Sequence, residues 1–152
     1  MNNAIVLAAR ILLAQIFLLS GVGKLGAGYA GTQGYMEAMG VPGALLPLVI
    51  LLEIGGGLAL VTGFMARWAA LALAIFCVVG ALIFHNHFGD QMQSIMFMKN
   101  LAMAGGLLML YVHGSGAYSL EPGAAERLRT FGRPGLCSGR GFEWCRLSDS
   151  NR

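Results

Sequence analysis

Apolar residues run along this chain in four long stretches, separated by shorter segments where glycine and polar residues gather. Three of the stretches cover residues 4–23, 43–63 and 67–84. The fourth is cleanly apolar only over 101–112, and reaches spanning length if it starts near residue 94 and takes in Lys99 and Asn100. A transmembrane helix needs about 20 mostly apolar residues. In hydrocarbon every backbone group must be satisfied internally, so the pattern predicts an all-α bundle of four transmembrane helices. No basic segment precedes the first stretch, which is also long for a removable leader, so it reads as a retained span.

Within the spans the polar positions are ordered. Arg10, Ala14, Phe17, Gly21 and Lys24 recur at spacings of three and four and share one helical face. Lys99, Met103, Gly106, Leu110 and His113 do the same in the fourth span. In the second, Glu53, Gly56 and Gly57 share a face, which predicts close helix contact rather than a phosphate-binding loop, because small residues let neighbouring backbones approach. Gly105 and Gly106 give the same expectation for the fourth span.

Composition sharpens this picture. Hydrophobic residues make up 57% of the chain and charged residues 11%, well under the roughly 25% of soluble domains. Residues 1–120 hold seven charges, whereas the last 32 residues hold ten, six of them arginine. The chain therefore divides into a membrane body, 1–121, and an Arg- and Gly-rich tail, 122–152, with no apolar period and the composition of a disordered segment. Four spans place both termini on one side, together with Arg67 and the arginines of the tail, and the positive-inside bias makes that side cytoplasmic. The net charge of +3 is thus an orientation signal, not a nucleic-acid footprint.

Glu53 is the chemical puzzle. A lone charge at the bilayer centre costs about 2.5–3.5 kcal/mol even on the mildest scale, so this carboxylate is expected to be protonated, paired or facing water. Counting rise per residue from the span ends sets Glu53 roughly 15 Å, and Arg10 roughly 20 Å, below the same surface, with Lys99 near 7 Å. These depths predict a bundle interior where Arg10 pairs with Glu53 and Lys99 stands toward the outer mouth. Two cations against one anion would suit an anionic or carbonyl-bearing ligand, unless Asp90 folds back to cancel the excess. Against this stands a purely architectural ion pair that fixes helix register.

Other chemistry has little support. His85, His87 and Asp90 lie in one connection but lack the spacing of a metal site, and His113 falls near the opposite surface. Cys77, Cys137 and Cys145 form no CxxC or disulfide framework. No serine sits in a legible nucleophile–base arrangement. Tyr29, Tyr35, Trp68, Tyr111 and Tyr118 fall near span ends, where amphipathic rings gather.

Four segments, "RILLAQIFLLSGVGKL" (10–25), "LLEIGGGLALVTGFMAR" (51–67), "FMKNLAMAGGLLML" (97–110) and "GSGAYSLE" (114–121), together resemble the DoxX family of small four-span bacterial membrane proteins. The resemblance covers roughly residues 5–121; the tail has no counterpart in it. It implies an inner-membrane protein with cytoplasmic termini and singles out Arg10, Lys24, Glu53, Lys99 and Asn100 as the polar motif residues. It also implies a link to membrane oxidoreductases: an accessory or redox-linked subunit, with quinone or a sulfur compound as candidate ligand and a redox protein as candidate partner. A non-catalytic scaffold, self-association, and a small permease or proton path stay open beside it.

Overall fold

The computed structural model describes residues 3–116 and 118–120, which hold five α-helices and, among the described residues, no strand. They are α1 (Asn3–Gly23), α2 (Ala27–Ala38), α3 (Leu46–Thr62), α4 (Ala66–Phe84) and α5 (Gln91–His113), with a 3₁₀ turn at Gly43–Leu45 leading into α3. Four segments are long and apolar enough to cross a membrane: Asn3–Gly23, Gly43–Thr62, Ala66–Phe84 and Gln91–His113. The fourth thus starts three residues earlier than its hydropathy indicates, because Asp90 caps it, its carboxylate accepting from the Met92 N–H at 2.9 Å. Asp90 is committed to that cap and does not fold back into the bundle.

The spans pack in the order α1–α3–α4–α5, while α1 and α5 touch only briefly. Small residues make this closeness available. The buried face of α4 is Ala66, Ala70, Leu73, Ala74, Cys77 and Ala81, and in α3 Gly56 lies under Leu73 and Gly57 under Leu18, so a Cβ at either would come within about 3 Å of the leucine. The buried face of α1 is Arg10, Ala14, Phe17 and Gly21, the stripe visible in the sequence. In α5 the buried residues are Ala104, Leu107 and Leu110, so its inward face is turned one position from the expected one and Gly105 meets nothing. Large apolar side chains such as Leu12, Leu19, Leu51, Ile75, Leu82 and Met109 point outward, as suits a lipid solvent.

The helix α2 replaces what reads in the sequence as a connection. Its twelve residues carry three glycines and no side-chain cap, so local preference is weak and tertiary contact holds it. Met36 is buried beside Leu46 and Ile50, and the Tyr35 ring stacks on Phe84 at 5.5 Å between centroids.

The turn from α3 to α4 fixes the other end of the bundle. Gly63 closes α3 in the left-handed region at φ +76°, a C-terminal cap that glycine adopts at no steric cost. A Cβ there would lie 2.6 Å from Arg10 Nη2 and 2.5 Å from Ser119 Cβ. Gly55, eight residues earlier, faces open space. Gly63→Ala is therefore expected to lose at least about 2 kcal/mol, while Gly55→Ala stays at or slightly above wild-type stability; thermal unfolding of the two variants in mild detergent measures the contrast.

Candidate functional site

Glu53 is reached from α1. Gly21 packs so closely on α3 that a Cβ would stand 3.2 Å from Glu53 Cβ, which brings the two antiparallel helices into close contact at this level. Lys24, just past the last turn of α1, folds back over Gly21. Its Nζ donates to Glu53 Oε2 at 2.7 Å and Oε1 at 2.8 Å, and to Ser20 Oγ at 2.6 Å. Ser20 Oγ in turn donates to Glu53 Oε1 at 3.1 Å. The side chain of Glu53 is 4% exposed and that of Lys24 20% exposed, so the carboxylate is enclosed and the ammonium forms its lid. In a low-dielectric interior a pair survives when its remaining lone pairs and protons are also bonded, and Ser20 completes that condition.

The expected Arg10–Glu53 pair is thus replaced by Lys24–Glu53. Arg10 lies eleven residues before Gly21, about 16 Å further along the helix, level with the C-terminus of α3. There it is fully buried and four of its N–H groups donate to backbone carbonyls. Nε reaches Leu60 O at 2.8 Å, Nη2 reaches Val61 O at 2.7 Å, and Nη1 reaches Ser115 O at 2.9 Å and Tyr118 O at 2.5 Å. The last four carbonyls of a helix have no partner within it. In α3 all four are taken: Ala59 by the Gly63 N–H, Leu60 and Val61 by Arg10, and Thr62 by the Leu120 N–H. A cation on a helix C-terminus also meets the negative end of its dipole. Arg67 repeats the device, donating from Nε to Tyr111 O at 2.9 Å near the end of α5.

Lys99 is the second correction. It is exposed and has no hydrogen bond or ion pair with the described residues, so it does not stand inside the bundle. Asn100 is half-buried and spends its amide on Met96 O at 2.9 Å, one turn back on its own helix. His85 Nδ1 lies 2.7 Å from Gln93 Oε1, and no group of three metal-ligating side chains forms among the described residues. Cys137 and Cys145 lie outside the described residues, as does the tail from 121 onward.

Between the Lys24–Glu53 level and the Arg10 level the interior is apolar: Ala14, Phe17, Leu60, Leu73, Ala104 and Leu107 fill it. The two charged sites are therefore separate. Ser20 is the residue that sequence reading missed, although its position four before Lys24 places both on one helix face.

A bundle of four apolar spans, one end tied by a buried arginine on carbonyls and the other by a shielded Lys–Glu pair, defines a small polytopic membrane protein. The chain belongs to the DoxX family, whose model matches residues 5–86. It is 56% identical over 116 residues to the inner membrane protein YqjF of Escherichia coli K12, a match covering 76% of this chain and 88% of that protein. It is 34% identical over 125 residues to the inner membrane protein YphA of the same organism, covering 77% of this chain and 88% of YphA. No solved structure matches the chain.

A double-mutant cycle on Lys24 and Glu53 tests the pair. Lys24→Met leaves a buried carboxylate without its cation and is expected to cost about 3–5 kcal/mol. Glu53→Gln keeps an acceptor for Lys24 and Ser20 and costs less. The double variant should be more stable than Lys24→Met alone, with a coupling of about 1–3 kcal/mol; additive single effects in detergent unfolding would show that the pair is not a unit.

Proposed function

We propose that this chain is an inner-membrane accessory subunit, a rigid four-helix element that does no covalent chemistry itself and serves a membrane enzyme, in the first instance an oxidoreductase, as a docking and stabilising partner. The observation that carries this reading is the saturation of its buried charges. The Lys24 ammonium is filled by the two carboxylate oxygens and Ser20, and Arg10 is filled by four carbonyls. Groups so fully engaged with their own chain fit architecture better than turnover. The apolar layer between them weighs against a permease or proton path, which needs a continuous polar line. Inner-membrane placement follows the names of YqjF and YphA.

A second reading is favoured by one feature: Lys24 keeps a fifth of its side chain exposed, so a quinone carbonyl arriving from the bilayer can take the place of Ser20 Oγ as acceptor of one of its N–H groups. An ultraviolet–visible spectrum and mass spectrometry of an organic extract of the purified protein separate the two, with Glu53→Gln alongside. The accessory role is expected to give a wild type free of stoichiometric redox ligand and a Gln variant that is merely less stable. A quinone present one-to-one in wild type and absent from a folded Glu53→Gln variant overturns it in favour of a ligand site.

Orientation belongs to the same proposal. The ends of α1, α3, α4 and α5 that carry Arg10 and Arg67 face the cytoplasm, and the tail from 122 extends there as a segment distinct from the membrane body. A fluorescent protein fused at the C-terminus should light up and an alkaline phosphatase fusion there should be inactive; the opposite pattern inverts the assignment.

A further inference from the structure

We infer that the seam between α1 and α5 opens toward the Lys24 end into a lateral crevice that holds an anionic phospholipid, its phosphate on Lys99. The two helices meet where Leu13 lies against Gly106, at 3.4 Å from the position a Cβ would take. Seven residues on, an α-helix returns to nearly the same face. Lys99 on α5 and Ser20 on α1 therefore overlook the same seam, each about 10 Å above the contact. Burial along α5 follows the opening: Leu110 is buried, Gly106 and Met103 are half-buried, and Lys99 is exposed. On α1 Arg10 is buried, while Leu13, Ile16, Ser20 and Lys24 are half-buried. Near Leu110 the seam is closed by Arg10 and its carbonyls.

The chemistry of the crevice selects its occupant. Its lower walls, Ile16 and Met103, are apolar and half-buried against the core. Its rim carries Lys24, already neutralised by Glu53, and Lys99, which no acidic side chain among the described residues compensates. The crevice thus has one uncancelled positive charge above a hydrocarbon-lined slot. Lys99 lies eight residues inside α5, about 12 Å from its start, and its stem reaches back toward the interface. An anionic amphiphile matches both parts, with a headgroup oxygen on Nζ and an acyl chain along Ile16 and Met103. The molecules that meet this crevice at the highest concentration in a bilayer are lipids, and phosphate is the anion they share. A lysine on a bare surface also favours an anionic headgroup; a crevice site is marked by one-to-one retention that a bulkier wall, Met103→Trp, abolishes with Lys99 intact.

The test uses the purified full chain in mild detergent, titrated with phosphatidylglycerol or phosphatidylcholine of the same acyl chains and read by native mass spectrometry. Wild type is expected to retain phosphatidylglycerol one-to-one in preference to phosphatidylcholine. Lys99→Gln, at an exposed site, should weaken phosphatidylglycerol retention about fivefold and leave phosphatidylcholine unchanged, and Lys99→Arg should restore the preference. Equal retention of the two lipids, a Lys99→Gln variant that binds as wild type does, or a protein dimer that excludes lipid from this face each overturns the proposal.

Discussion

A guanidinium sunk among hydrocarbon has to find an acceptor for its N–H groups, and here the acceptors are the end of one helix and the bends that follow another. Arg10 gathers the carbonyls of Leu60, Val61, Ser115 and Tyr118 into one fan, so two distant parts of the chain converge on a single side chain of a third. That convergence fixes how deep α1 sits against α3, and the rest of the register follows from it. Once Arg10 is level with the end of α3, Gly57 falls under Leu18 and Gly21 against Glu53, and Lys24 arrives above the carboxylate. The bond set is mutual: the same N–H groups that would be stranded in lipid relieve carbonyls that would be stranded as well.

The four spans were legible because hydrocarbon imposes a length and a composition that few other environments demand. The inward stripe of α1 was legible for the same reason, since its polar and small residues contrast with an otherwise uniform apolar surface. The partners of the charges were not. Depth counted from span ends treats side chains as points at their Cα, whereas Lys24 folds back a full turn and Gly21 shifts the register of the neighbours. Backbone carbonyls, which became the partners of Arg10, leave no mark in a sequence. The helix α2 escaped notice because its glycines and mixed polarity give no period; contacts such as those of Tyr35 and Met36 with distant residues hold it.

The two charged sites divide the labour of stabilisation differently. Arg10 is bonded to backbone, and backbone geometry changes only if a helix moves. Glu53 is bonded to side chains, Lys24 and Ser20, each of which has other rotamers and a path to the surface. The residues filling the layer between them are apolar, so the first behaves as a fixed joint and the second as a latch.

A joint at one end and a brief contact part-way along make α1 and α5 a lever. Their fulcrum is the Leu13–Gly106 contact, and the arm from there to Lys24 is about 16 Å. A tilt of roughly 5° about this point would widen the α1–α5 seam at the Lys24 end by only about 1.4 Å by the same helix geometry, while Glu53, on α3, travels with α1 through their close packing. The leverage is one-sided: any displacement of α1 against α5 is largest at the Lys24 end and smallest where the arginine sits.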